Sequence, residues 1–465
     1  MTKQALLKIK QYRKLGLEKT FKERMFFWGS IIAGISFIAL WVNSFYYQAP
    51  VSEIISFMVE DSWCPETNSG IGLHCFGDYY SPVAGFSMEN PWADGYAYTP
   101  IAHQQFVPFD FLGRMFDTPR VGLLAYLITG FISLLLPLIW AGRGERTFTP
   151  VYAIIFGVFG TPLLSALDRG SVVMFTTPIL LYYALAILRE NWSRAAFAIV
   201  LLSVVKPQYL TLLLPLLIFR RWRDTIRALS YTFGLSVIGF VLLTPAPLTV
   251  FRQWVSFAIG YNEQGHYFYP YNVSITKVLS TIFNFCARLL NLTSVNPLET
   301  NSALAAVLVI GILLVFPLIV LGDTIDRFSA IVASLVLGSL LVPTSNFYYQ
   351  NFVIVVVAII LRDPRIRLGS FDYGAMDNEL ISTKTRSFVK WLILIASLNS
   401  CFNMPISHQM GVPMLYFVGT PTSISRLLVG PLWLLVIAGI NLNSWMNFRA
   451  KRKSKASIPV LNPHL

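Results

Sequence analysis

The chain has 465 residues, of which 55% are hydrophobic and 13% charged, with a formal net charge of +13. So little charge over so long a chain excludes a soluble domain. Apolar stretches near the length that crosses ~30 Å of hydrocarbon recur from end to end instead. The basic excess would also suit a nucleic-acid-binding protein, but it is placed as a topology signal, and no nucleic acid is expected as a partner.

The first 25 residues carry Lys3, Lys8, Lys10, Arg13, Lys14, Lys19, Lys22 and Arg24, which reads as a cytoplasmic N-terminal segment. No small-residue cleavage site follows the apolar run at 26–47, so that run is expected to stay as a helix. Further spans are expected near 121–141, 150–167, 172–189, 226–246, 302–321 and 426–446. Shorter apolar pieces lie at 195–205, 208–219, 329–343, 350–361 and 388–403. The fold class is thus an all-α polytopic membrane protein with about twelve transmembrane or half-membrane helices, the short pieces reading as broken or paired half-helices. Residues 26–448 form the membrane domain, and 449–465 form a basic cytoplasmic tail bearing Arg449, Lys451, Arg452, Lys453 and Lys455.

With both ends inside, the clusters Arg143 to Arg146, Arg189 to Arg194, Arg220 to Arg223 and Arg362 to Arg367 also fall inside. The protein is expected in the plasma membrane as a multi-pass chain. Two long loops then fall outside, about 48–118 and 247–300. The first holds nine carboxylates, Asp61, Asp78 and Asp110 among them, against the single basic residue Arg114. The second is dense in tyrosine, with Tyr261, Tyr267, Tyr269 and Tyr271 around His266. Short interfacial helices are expected around Val51 to Glu60, Trp254 to Phe257 and Val278 to Leu290. Cys64 and Cys75 share the first loop, where an oxidising compartment would let them pair as a disulfide. Their spacing with His74 lacks the pattern of a zinc site, so no metal is expected.

Two groups of charges interrupt the apolar body. Asp168-Arg169-Gly170-Ser171 sits between two apolar runs, and Lys206-Pro207 lies inside a third. A charge at the bilayer centre costs roughly 2.5–3.5 kcal/mol on insertion scales. Such groups belong at helix ends, in wet cavities or against a ligand. Asp168 also fits a cap on the following helix N-terminus, where a carboxylate gains about 0.3–1 kcal/mol. Lys206 could snorkel to an interface, but Pro207 breaks the helix there.

Asp168-Arg-Gly-Ser, then Val205-Lys-Pro-Gln-Tyr209, then Phe219-Arg-Arg-Trp-Arg223 resembles the core signature of glycosyltransferase family 87. Gly77-Asp78-Tyr79-Tyr80, Asn90-Pro91-Trp92 and Tyr96-Ala-Tyr98-Thr-Pro100 resemble the family's first-loop pattern. Asn272-Val-Ser274 and Pro343-Thr-Ser345 with Tyr348-Tyr349-Gln350 resemble two later elements. Ser171 stands where the family usually has Asn, and Tyr348 and Tyr349 where histidine is common. The resemblance covers about 70–360 and implies the GT-C membrane fold and a polyprenyl-phosphate-sugar donor.

Transfer from such a donor needs a base for the acceptor hydroxyl and cationic groups for the leaving phosphate. The resemblance points to Asp78 as the base; Asp61, just after the first interfacial helix, is the second candidate by its position. The resemblance implies an inverting transfer of a sugar, mannose by expectation, to a cell-envelope glycan or glycolipid on the extracytoplasmic side, with no separate cofactor. Arg169, Lys206 and His266 are the expected phosphate ligands. Tyr80, Tyr98, Asn272, Tyr348, Tyr349 and Gln350 are the expected sugar or acceptor contacts. An arabinofuranosyltransferase using a lipid-linked pentose is the alternative enzyme. A lipid or glycan transporter is the non-enzymatic alternative, although the internal pseudosymmetry common in transporters is absent from the sequence.

Overall fold

A computed structural model of the protein describes residues 27–35, 76–94, 98–142, 160–263, 272–279, 300–342, 347–361, 383–401, 415–417, 420–422 and 424–456, with a few isolated positions besides. The elements are α1 (Gly77–Gly85), α2 (Pro100–Gln104), α3 (Val107–Met115), α4 (Pro119–Gly142), α5 (Thr161–Arg169), α6 (Val173–Leu188), α7 (Trp192–Val205), α8 (Leu214–Ile218), α9 (Trp222–Leu243), α10 (Pro247–Glu263), α11 (Thr300–Val320), α12 (Arg327–Leu340), α13 (Phe352–Leu361), α14 (Thr383–Cys401) and α15 (Ile424–Ala456). Tight 3₁₀ turns at Pro207–Leu213 and Phe347–Asn351 lead into α8 and α13. The described elements are helices, apart from a three-residue antiparallel ladder in which β1 (Leu415–Phe417) pairs with β2 (Thr420–Thr422).

Three described helices are long and apolar enough to cross a membrane: Pro119–Gly142, Trp222–Leu243 and Leu428–Lys453. Shorter apolar helices fill the positions where the sequence has shorter apolar runs, including Trp192–Val205, Pro207–Ile218 and Arg327–Leu340. The exposed face of α4 is a stripe of Leu124, Ile128, Ile132, Leu136 and Ile139 at helical spacing. A face so apolar and so exposed requires lipid around it, and the chain is a membrane protein.

The break at Lys206 is a hairpin rather than a kink in one long helix. Lys206 takes an extended conformation at the end of α7, and Pro207 opens the 3₁₀ turn that leads back. The proof lies at the opposite end of the pair. Trp192, first in α7, packs on Phe219, just past α8, with ring centroids 5.3 Å apart. The Arg221 guanidinium sits over the same Trp192 ring at 4.9 Å. Fourteen residues of α-helix span about 21 Å, and the return leg must cover the same height. Lys206 is therefore the apex, and the arginines are the base.

The neighbouring helices share these two poles. α6 starts at the apex end, where the Asn351 amide donates to the Val173 carbonyl at 3.0 Å. It ends at the base, where the Arg327 guanidinium donates to the Leu188 carbonyl at 3.0 Å and pairs with Glu190. α12 starts from Arg327, capped by the Asp326 carboxylate on the Ser329 N–H, and climbs to Ser339 at the apex end. α9 leaves the base beside Ser193, whose hydroxyl donates to Asp224 at 3.3 Å, and Gly239 near its far end packs against Ile101 of α2.

Candidate active site

The apex pole is assembled from the first loop and three helix ends. α5 ends in the sequence Asp168-Arg169-Gly170, with Gly170 in the left-handed region at φ 62°. The Ser171 N–H returns to the Ala166 carbonyl at 3.0 Å and the Gly170 N–H to Leu167 at 3.0 Å, a Schellman closure that satisfies the last carbonyls. A Cβ on Gly170 would meet the Tyr79 Cβ at 3.0 Å, so both the backbone angle and the close approach require glycine. This corrects the sequence reading of Asp168 as a cap on the following helix. Asp168 lies in the last turn of α5, and α6 has Val172 at its N-cap with no side-chain cap bond.

The α5 terminus holds the first loop directly. The Phe76 N–H donates to the Asp168 carbonyl at 2.7 Å. Phe76 itself adopts φ 57°, an uncommon conformation for a bulky side chain. Its carbonyl accepts from the N–H groups of Tyr79 and Tyr80, so the turn launches α1 with Asp78 in its first turn. Tyr79 then buries completely against Phe106 and Tyr126. Gly122 makes room for it: a Cβ there would lie 2.2 Å from the Phe109 carbonyl oxygen and 2.6 Å from the Tyr79 hydroxyl.

Asp78 and Arg169, ninety-one positions apart in sequence, form an ion pair with Arg169 Nη2 3.0 Å from Asp78 Oδ1. Both side chains are largely buried, at 14% and 13% exposure. Oδ2 of Asp78 has no protein partner among the described residues.

Lys206 reaches the same place from α7. Its ammonium lies over the Tyr98 ring at 4.7 Å and over the Tyr349 ring at 5.7 Å. No carboxylate pairs with it among the described residues. Tyr98 is fixed by its neighbour Thr99, whose hydroxyl donates to the Val204 carbonyl at 2.7 Å and accepts from the Ala102 N–H to cap α2. The Tyr98 hydroxyl donates to the Asp78 carbonyl at 3.4 Å. The Trp92 indole N–H closes the loop on the Tyr98 carbonyl at 2.9 Å, and the Asn90 amide fastens it to Gln253 of α10 at 3.0 Å.

The remaining expected residues divide into three groups. Tyr80 is half-buried edge-on to Tyr79 beside Asp78; burial raises its phenol, and nearby Arg120 opposes the shift. The Tyr348 and Tyr349 rings lie 4.5 Å apart, tilted by 46°, and behind Tyr349 a narrow crevice runs between Gln208, Tyr209, Ser339 and Asn351. Gln350 is fully buried, its amide N–H on the Ser339 hydroxyl at 2.6 Å. Asn272 acts as a brace: its amide oxygen accepts from the N–H groups of Ser274 and Ser345, each at 2.9 Å, tying two later loop segments together. His266, Cys64, Cys75 and Asp61 lie outside the described residues.

The sequence did not mark out Asn351, a buried side chain of this region. Its amide donates to the Val173 carbonyl at 3.0 Å and the Thr177 hydroxyl at 2.7 Å, and lies at 3.5 Å from the Thr176 hydroxyl. A lone Asn before an apolar run reads as a helix edge, so no signal marked it.

The family model of glycosyltransferase family 87 matches residues 96–344. The chain belongs to that family. It is a glycosyltransferase, and the match takes in Tyr98, Arg169 and Lys206, three of the four side chains that meet at the apex. Asp78 precedes the matched stretch and joins this cluster of side chains through its pair with Arg169. Neither a curated protein nor a solved structure matches the chain.

Proposed function

We propose that this glycosyltransferase has the GT-C fold and moves a sugar, mannose by its family likeness, from a polyprenyl monophosphate to an envelope glycan or glycolipid. The transfer takes place at the apex pole on the extracytoplasmic side. The observation that carries this reading is the pairing of a carboxylate that keeps one oxygen open with a cation that lacks a carboxylate, both held on Tyr98.

The step follows from those positions. The acceptor hydroxyl gives its proton to Asp78 Oδ2 as its oxygen attacks the anomeric carbon. The bond from that carbon to the phosphate oxygen breaks on the opposite face, and the polyprenyl phosphate leaves with the electron pair. Lys206 meets the charge that develops on the leaving group. A β-linked donor would give an α-linked product. Arg169 fixes the carboxylate from below, and its guanidinium has five N–H donors, enough to reach the donor phosphate as well. Tyr80 and Tyr349 offer ring faces to the sugar, while Asn272 serves by holding the later loops in place.

The test is transfer by the purified protein in lipid nanodiscs, with labelled polyprenyl-phosphate mannose as donor and an envelope lipid extract as acceptor. Labelled glycolipid together with released polyprenyl phosphate supports the proposal. Product only from the arabinofuranose donor would replace mannose, and movement of label across the bilayer without any product would overturn the enzymatic reading of this site.

A further inference from the structure

The proposed phosphate-binding lysine is held by aromatic rings where most half-buried cations have a carboxylate. Tyr98 lies at 4.7 Å from the Lys206 ammonium and Tyr349 at 5.7 Å. A cation over a ring face is attracted by the ring's quadrupole, yet a neutral ring leaves the net positive charge in place. A carboxylate at the same position would have cancelled it. Tyr98 also has a second engagement at its far end, where the hydroxyl donates to the main-chain carbonyl of Asp78. Its own position is locked by Trp92 on its carbonyl and by Thr99 on the last turn of α7.

We propose that Tyr98 is a positioning residue for both halves of the reaction: its ring carries the Lys206 ammonium toward the leaving phosphate, and its hydroxyl holds the Asp78 backbone at the acceptor. Tyr349 adds a second, more distant ring to the ammonium. This refines the sugar-contact role expected for the two tyrosines, and it rests on the reading of Lys206 as the phosphate ligand. Its chemistry predicts a separation of effects that a purely structural tyrosine would not give. The ring governs affinity for the phosphate, and the hydroxyl governs the rate of the bound complex.

Two measurements on the full-length protein in nanodiscs test it: binding of polyprenyl monophosphate, and transfer from labelled polyprenyl-phosphate mannose to the envelope lipid extract. Loss of the ring in Tyr98→Leu is expected to weaken phosphate-lipid binding about fivefold. Tyr349→Leu, which removes the more distant ring, is expected to weaken it less. Tyr98→Phe keeps the ring, so binding and donor KM stay at the wild-type values while kcat falls about threefold, the size expected for one weak neutral hydrogen bond. Equal binding losses in Tyr98→Phe and Tyr98→Leu would overturn the proposal, and so would a wild-type kcat in Tyr98→Phe. Should Tyr98→Leu fail to fold, Tyr98→Phe and Tyr349→Leu decide the matter between them. Lys206→Gln separates this inference from the reading beneath it. If Lys206→Gln binds polyprenyl monophosphate normally, the phosphate assignment itself is wrong. If it loses binding while Tyr349→Leu and a folded Tyr98→Leu both keep it, the aromatic clamp alone is wrong.

Discussion

The two ends of the helix bundle treat positive charge in opposite ways. At the base, Arg327 pairs with Glu190 and donates to a helix-terminal carbonyl, Arg227 pairs with Asp224, and Arg221 lies over Trp192. Asp224 also accepts from Ser193. At the apex, Arg169 is committed to one oxygen of Asp78, and Lys206 rests on two neutral rings with no carboxylate among the described residues. Cations at the base are each matched by a carboxylate, a helix-terminal carbonyl or a ring. At the apex Arg169 is largely buried with Asp78 and Lys206 is partly buried, where a charge left without a counterion is costly unless a ligand supplies one. The contrast separates arginines with carboxylate or carbonyl partners from a lysine that has only rings, the one proposed to meet the donor phosphate.

The largest disturbance expected at the apex is steric. Gly122→Ala would drive a methyl to 2.2 Å from the Phe109 carbonyl and toward the Tyr79 hydroxyl, both beside α1. Overpacking against main chain should cost about 3 kcal/mol, read as a lowered unfolding midpoint in detergent together with lost transfer. Lys206→Gln comes next: donor KM should rise about thirtyfold, in line with the loss of a charge-assisted contact, with the midpoint barely changed. At the base the pattern should invert. Arg327→Ala removes a partly exposed pair, worth about 0.5–1 kcal/mol after screening, and donor KM should stay at its wild-type value. A changed KM in Arg327→Ala would erase the distinction between the poles.

The smallest effect is one of pH. Burial holds the His103 imidazole below its usual range, against the opposing hydrogen bond to the Pro82 carbonyl at 2.9 Å. The unfolded chain therefore takes up this proton at a higher pH than the folded one. The stabilisation is whole above the ordinary histidine range and declines as pH falls through that range toward the lowered folded value. Unfolding midpoints measured between pH 7 and pH 5 should drop in the wild type and flatten in His103→Gln.

Much of this was legible from the chain. The apolar runs at 195–205 and 208–219 anticipated the two legs of the hairpin, because a Lys-Pro pair has neither the N–H nor the solvation to continue a buried helix. Arg169 and Lys206 stood out because charge is rare in the apolar body, and Asp78, one of nine carboxylates in its loop, through the family resemblance alone. Their mutual arrangement was not legible: that Asp78 and Arg169 form a pair depends on the Schellman turn at Gly170 receiving the Phe76 N–H. The helices α1 and α3 also escaped notice. Each is nine residues long with an internal or leading proline, and their stability comes from burying Tyr79 and Phe109 against Tyr126 rather than from propensity. Asp168 was misread for a related reason. Helix termini are set by the glycine that follows, and the sequence alone left open which of two adjoining helices the carboxylate served.

The claim on which the rest depends is that the open oxygen of Asp78 takes the acceptor proton beside a bound lipid phosphate. Its most direct test pairs two readings on Asp78→Asn, polyprenyl monophosphate affinity and transfer from labelled polyprenyl-phosphate mannose. The account predicts wild-type affinity with transfer reduced about a thousandfold, within the range for removing a general base. Transfer at the wild-type rate by a folded Asp78→Asn protein would contradict it.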